Sequence, residues 1–276
     1  MKINVSLFGL FFAAMVLLTS FKVDAASTTD WNTNVITVTG TGLPPRGAVG
    51  AQARVWAKRA AIADAQRQLA EAIDGVQVDA ETTVEQLTLA SDIIRTKISA
   101  KVKGARVVAE NFNSDGTYEV TMQMPMFGSN GFAQAVIERP TEVIPFPTPQ
   151  PVEQPSPGST TTITVTVNGG YTGVIIDCRG FNVNNVMSPV IKDTSGTKLY
   201  GQQNLDYDLV IRDGMASYAH DMSQAGRAGS NPLIIKAQRM DDNNANPVLS
   251  VSDGNRLLLE NNSSGFLSQT HVVFLY

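Results

Sequence analysis

Two histidines, one cysteine and a scatter of aspartates are the side chains through which this 276-residue chain could do chemistry. His220 and His271 lie in different segments, and neither has His or Cys partners at metal-ligand spacing. His220, next to Asp221, reads as a partly solvated residue of a helix, and His271 as an edge residue opening the last strand. Cys178, in GVIIDCRG, reads as a small buried hydrophobe; the alternatives are an intermolecular disulfide or a reactive thiol. Asp177 and Arg179 flank it two residues apart, so in a strand they share a face and form an ion pair or a site at the strand end. Asp206 and Asp208 in NLDYDL also share a face, with Asp213 close behind. Paired carboxylates do acid–base work when about 5–10 Å apart in a cleft. Arg239 to Pro247, RMDDNNANP, strings oxygen side chains together, but Asp241 and Asn243 match only a fragment of a calcium loop, without its central Gly and terminal Glu. A polar turn between two strands fits it better. GTGLPPRG lacks the G-x-x-x-x-G-K-[ST] pattern of a phosphate loop and carries two prolines, so it reads as a strand-to-helix turn in which Arg46 would hold an anion only weakly. No G-x-S-x-G elbow occurs. No catalytic, cofactor-binding or metal-ligating set is complete, which points away from an enzyme and away from any cofactor.

The residues around these groups say where the chain works. Lys2 precedes an uncharged apolar run, Ile3 to Leu18, and Val23 and Ala25 take the small-residue positions of a cleavage site. That order is a secretory signal peptide, residues 1–25, and the run falls short of the roughly twenty residues a spanning helix needs. Cleavage after Ala25 leaves an exported chain without a transmembrane segment, in the periplasm, at the cell surface or outside the cell. The composition is 43% hydrophobic and 17% charged, that of a globular protein. Loss of Lys2, Lys22 and Asp24 leaves 19 basic and 24 acidic residues, a net charge of −5. Nucleic acid calls for a basic face, and anionic lipid for a polybasic cluster; neither is present.

Proline recurs through PTEVIPFPTPQPVEQPSPG, residues 140–158, where no helical or strand period survives. Proline lacks a ladder donor and stiffens an extended path, so this is an interdomain linker. It separates an N-terminal module, 33–139, from a C-terminal α/β or α+β module, 160–276. In the first, VITVTGTG reads as a strand. An alanine-rich helix follows to Gly75, with a stripe of Val55, Ile62, Leu69 and Ile73 and with Trp56, Ala63 and Ala70 beside it. Val76 to Glu85 alternates strictly and predicts a long strand with a wet face of Gln77, Asp79, Glu81 and Glu85. Ser91 caps a helix carrying Ile94, Ile98 and Val102. ARVVAENF and TYEVTMQMPM form a hairpin across Asn113 to Gly116, and a last helix spans about 129–138. In the second, TTITVTVN, GVIID, PLIIKAQRM, NPVL and THVVFLY read as strands. PVIKDTSGTKLYG reads as a hairpin turning at Asp193 to Gly196, and Met215, Tyr218, Met222 and Ala225 as one side of a helix. A second helix, Leu-rich, is capped at Ser252 or Asp253. The fold class is α+β: two small α+β domains, helices packed on antiparallel or mixed sheets, joined by the Pro-rich linker.

GAVGAQARVWAKRAAIADAQRQLAEAIDGVQVDAETTV, followed by KVKGARVVAENFNSDGTYEVTMQMPM, resembles the twenty-kilodalton bacterial outer-membrane lipoprotein family. It is similar too to the N-terminal domain of a flagellar assembly protein of the outer-membrane ring. The likeness covers roughly 35–130 and implies an exported, envelope-associated, non-enzymatic module. The family's lipid-attachment cysteine is missing, which leaves peripheral rather than lipid-anchored association. The pattern YTG…IIDCRG…YG resembles exported bacterial proteins of unknown role. These readings converge on an exported cell-envelope binding or scaffolding module, linked to an outer-membrane or flagellar-type assembly. Its partners would be other envelope proteins or itself, met through the Gln77/Asp79/Glu81/Glu85 face and the edge strand Ile36 to Gly40. The alternatives are a periplasmic hydrolase using Asp177, Asp206 and Asp208, or a glycan- or calcium-binding module.

Overall fold

The computed structural model describes residues 27–150 and 167–276. The expected signal peptide, residues 151–158 of the expected linker and residues 161–166 of the expected TTITVTVN strand lie outside them.

The first half runs β1 (Thr28–Asp30), β2 (Val35–Gly42), α1 (Gly50–Asp74), α2 (Val84–Ala90), α3 (Asp92–Lys103), β3 (Arg106–Phe112), β4 (Tyr118–Pro125) and α4 (Ala133–Val136). Its four strands form an antiparallel sheet in the order β1-β2-β4-β3. β2 and β4 alternate buried and half-exposed residues, as a sheet covered on one face requires. The β3–β4 hairpin turns at Gly116 as expected. Ile36 to Gly40, however, is not an edge. β1 pairs with β2 on its outer side, so the edges of this sheet are the three-residue β1 and the longer β3.

α1 spans the helix the alanines announce, but its buried stripe is Ala57, Ala61, Ala65, Leu69 and Ile73, while Val55 and Trp56 face solvent. The reason lies in the sheet. A Cβ on Gly40 would sit 2.2 Å from the Ala65 nitrogen, and one on Gly42 would sit 2.1 Å from the Ala57 carbonyl. Helix and strand backbones are therefore nearly in contact, and only alanine fits between them.

The long strand expected over 76–85 does not form. The Asp79 carboxylate accepts from the amides of Glu81 and Thr82, both at 2.9 Å, and bends the chain back. Val84 then returns its N–H to the Val76 carbonyl at 3.0 Å. The alternation survives as burial of Val76, Val78 and Val84. Thr83 and Gln86 close a capping box that starts α2. Ser91 caps α3 as expected. The last helix shrinks to four residues, Ala133–Val136.

The second half runs β5 (Gly173–Asp177), β6 (Ile191–Asp193), β7 (Lys198–Tyr200), α5 (Tyr207–Asp213), β8 (Ser217–Ala219), β9 (Pro232–Lys236), β10 (Arg239–Asp241), β11 (Asn246–Leu249), α6 (Val251–Ser264) and β12 (Val272–Leu275). One sheet is wholly parallel, ordered β8-β12-β5-β9. The other is mixed, β10-β11-β6-β7. Four expectations change. PLIIKAQRM, expected as one strand, is divided between β9 of the parallel sheet and β10 of the mixed one. The helix over Met215 to Ala225 is replaced by β8 and a short 3₁₀ turn, Met222–Gln224, because Gly214 takes φ 77° and stops α5. α6 is capped by Ser250, whose Oγ accepts from the Asp253 amide at 3.0 Å, rather than by Ser252 or Asp253. His271 does not begin an edge strand, since β12 lies between β8 and β5. The whole is α+β.

The halves pack on each other. The Met187 and Ser188 amides donate to the Gln77 and Val78 carbonyls at 3.0 and 2.8 Å, so part of the supposed wet face is covered from within the chain. One hydrophobic core runs from Ile36 and Leu69 through Phe132 to Ile176 and Phe274. Residues 140–150 of the Pro-rich segment lie along the second half. Ile144 donates to the Gln203 carbonyl at 2.7 Å, Phe146 stacks parallel to Tyr200, and Gln150 exchanges bonds with Asn255. No helix among the described residues is long and apolar enough to cross a membrane.

Candidate functional site

Asp177 ends β5 at the carboxyl edge of the parallel sheet, the edge at which open α/β sheets hold ligands. Its carboxylate is already spent. Arg179 grips it through Nη2 at 2.7 Å and Nε at 2.9 Å, and Arg179's own amide adds a third bond. The Arg179 hydrogen bond holds the Asp177 carboxyl below its usual range against the opposing effect of burial. Cys178 is fully buried, with its thiol pushed up to about 12, first by burial and then by the Asp177 charge.

The other carboxylates do not converge on this point. Asp206 and Asp208 sit at the start of α5, not along a strand. Asp206 caps the helix by accepting from the Leu209 amide at 2.9 Å. Asp208 pairs with Arg139 at 2.6 Å, and that guanidinium lies 4.1 Å over the Tyr207 ring. Asp213 pairs with Arg212 at 2.7 Å. Each acid has its own cation or helix end, which is the reverse of an acid–base pair held apart in a cleft.

RMDDNNANP is the β10–β11 hairpin, with Asp242, Asn243 and Asn244 all left-handed. Its oxygens are used locally: Asp241 holds Arg239, Asp242 holds Lys192 and Asn246, and Asn243 donates to the Ala80 carbonyl at 2.8 Å. Among the described residues no three His, Cys, Asp or Glu side chains are grouped to bind a metal. His220 follows β8 and lies 4.6 Å from the Tyr276 ring, and His271 Nδ1 is 2.9 Å from the Thr172 carbonyl.

Two surfaces that no motif marks remain. One is a cleft of about 710 Å³ where the halves meet. Val78, Leu87, Val136 and Ile144 give it an apolar floor, and Asp79, Glu138, Ser188 and Lys198 polar walls. A concave, mainly apolar pocket with a few polar groups suits a small ligand or a peptide side chain. Its lining gathers segments spread from Val78 to Asn204, so no single local pattern could have announced it.

The other surface lies on the first half. Leu43, Val49, Val55 and Trp56 are exposed around the start of α1, and Leu43, Pro45, Trp56 and Arg59 line a shared groove. Arg59 covers the Trp56 ring at 5.4 Å and Arg54 covers Phe112 at 5.3 Å. Phe112 and Val108 are themselves exposed on β3. The signal for this surface was present in the sequence as Val55 and Trp56, residues that the helical stripe assigned to the core.

Residues 173–276, which hold β5 through β12, match the family model described as Treponema pallidum Tp0624, second domain. No curated protein matches the chain.

Proposed function

We propose that this chain is an exported cell-envelope protein that acts as a non-enzymatic binding or scaffolding module and meets another envelope protein through its first half. The observation that carries the proposal is the solvent-facing apolar surface of Leu43, Val49, Val55 and Trp56. Exposed apolar clusters of this kind mark interaction sites more often than isolated surface residues do. The open strand β3 exposes Val108 and Phe112 and offers main-chain groups for strand addition.

The surface also indicates the partner's character. Arg54 and Arg59 rim it on a chain whose overall charge is −4. An apolar face bordered by carboxylates would complement it and be steered toward it. The amino-terminal leader and the likeness of residues 35–130 to outer-membrane lipoprotein and flagellar-ring modules support an envelope address. The separate partners of Asp177, Asp206 and Asp208 weigh against the hydrolase alternative.

A photo-crosslinking residue placed at Val55 tests the proposal in intact cells. It should give a discrete adduct with an envelope protein, and Trp56→Asp should remove that adduct while the chain still folds. The proposal fails if no adduct forms, or if the adduct is as strong with Trp56→Asp.

A further inference from the structure

A second site lies on the opposite seam. The turn after β1 docks on β8: Tyr218 donates to the Trp31 carbonyl at 3.3 Å, and Asn32 Nδ2 donates to the carbonyls of Tyr218 and Gln224 at 3.2 and 2.9 Å. Two pockets of about 510 and 220 Å³ open along this seam and share Asn32 and Gln224 as a common wall.

The larger pocket is lined by amides and hydroxyls: Asn32, Asn34, Gln224, Thr33, Ser217 and Ser223. Its two ionic residues are already engaged. The Asp213 carboxylate holds Arg212. Arg227 donates from Nε to the Thr270 carbonyl at 2.6 Å, and from Nη1 and Nη2 to the carbonyls of Asp213 and Gly214 at 2.7 and 2.6 Å. A further Nη2 bond reaches the Thr270 hydroxyl. Ser217 is the exception. It is only 3% exposed, yet its Oγ has no hydrogen-bond partner among the described residues. Buried hydroxyls are almost always satisfied, so one left open on a pocket wall marks a place for an incoming polar group.

The smaller pocket supplies flat rings instead. Trp31, His220 and Tyr276 line it, with the His220 and Tyr276 rings 4.6 Å apart. Its one acid, Asp30, is taken up by the amides of Asn32 and Thr33 and by the Thr33 hydroxyl.

We infer that this seam groove binds a neutral oligosaccharide. Each sugar hydroxyl is both donor and acceptor, so it can donate to the Thr33 and Ser223 hydroxyl oxygens, whose own protons go to Asp30 and Asp221, and take either role at the unpartnered Ser217 Oγ. The C–H face of the next ring would lie on the aromatic wall, where an amphipathic ring meets both apolar and wet surroundings. An anionic ligand would need an unspent cation, and Arg227 is held by carbonyls. This site is independent of the α1 surface and goes beyond the function proposed above.

The test is titration of the full chain with maltotriose, cellotriose and triacetylchitotriose as neutral probes and trigalacturonate as an acidic one. At least one neutral probe should bind saturably. Ser217→Ala should weaken it about fivefold, the share of one hydrogen bond, with the melting temperature unchanged or raised. Asn34→Gly, which keeps the left-handed backbone of φ 57°, should weaken it similarly. Three results overturn the proposal: no saturable binding of any neutral probe, equal affinity in both variants, or tighter binding of trigalacturonate than of every neutral probe.

Discussion

The two halves of the molecule use β-sheet in opposite ways. The antiparallel sheet of the first half has one covered face. β2 and β4 alternate along their length, and β3 lies largely in water. In the parallel sheet of the second half, β8 and β12 are buried at every position and β5 at all but its last. A parallel sheet needs crossovers that cover both faces, so its strands read as apolar runs; a meander can leave one face wet. The half with spare surface is the one that presents Leu43, Trp56 and the β3 edge. The second half exposes large apolar side chains too, but on separate elements: Ile234 on the edge strand β9, and Phe181 and Met222 outside its strands. Burial on two faces makes a rigid platform, whereas burial on one leaves material for recognition.

The same side chain placed in each sheet measures that contrast. Phe274, in β12, is 0% exposed, and Phe112, in β3, is 41% exposed. Phe274→Ala should cost about 3–5 kcal/mol, the loss of a fully packed ring and the cavity left behind. Phe112→Ala should cost about 1 kcal/mol or less, since its ring meets mainly Arg54 and Tyr118 at the surface. Urea denaturation of the two variants reads both numbers. Equal losses would mean that β3 is buried in the native protein, by a partner or a second copy.

What could be read from the sequence follows the same division. Apolar strands such as GVIID and HVVFLY were plain, because burial on both faces leaves no ambiguity of period. The hairpins at Gly116 and Gly196 and the cap at Ser91 were legible for local reasons of turn and cap chemistry. Elements decided by distant partners were not. Val55 and Trp56 looked like a core stripe until Gly40 and Gly42 admitted only the alanine face of α1. The alternation of 76–85 was a true record of burial but a false one of extension, because Asp79 folds the segment back on itself. Met215 to Ala225 has helical spacing, yet Gly214 and the docking of Trp31 on Tyr218 make it a strand and a turn. Of the candidate sites, the Asp177–Arg179 pair was legible from its spacing and the α1 surface left a signal in Val55 and Trp56, whereas Asp208 finds Arg139 across 69 positions of chain. The seam pockets were not legible, because they join residues near both ends of the chain, Asn32 with Gln224 and Tyr276.

Cys178 gives a finer measure of rigidity at the same platform. It follows β5, its amide bonded to the Leu275 carbonyl at 2.8 Å, and burial pushes the thiol up to about 12, so it is protonated at neutral and mildly alkaline pH. Thiolate is the reactive form, so the native chain should resist iodoacetamide at pH 8 and react fully in 6 M guanidinium. Mass spectrometry of the alkylated protein distinguishes the two. Rapid labelling under native conditions would show that the edge of β5 opens locally and that the two sheets differ less than their burial suggests.

The smallest effect lies beside it, at the rim where the platform meets water. Arg179 is well exposed, so its bond to Asp177 is screened by water and contributes little near neutral pH. The sign of its pH dependence follows from the depressed Asp177 carboxyl. A carboxyl that titrates lower in the folded chain than in the unfolded one adds stability above the unfolded value, and that stability is lost as pH falls through the folded one. Arg179→Ala should therefore lower the melting temperature at pH 7, and the gap from the parent should close as the buffer is taken through the acidic range in which carboxylates protonate. The Cys178 thiol, relieved of no charge by this change, should stay protected from alkylation throughout. A gap that persists undiminished in acid would mean that Arg179 supports the strand end by packing its stem, and that the ion pair contributes nothing.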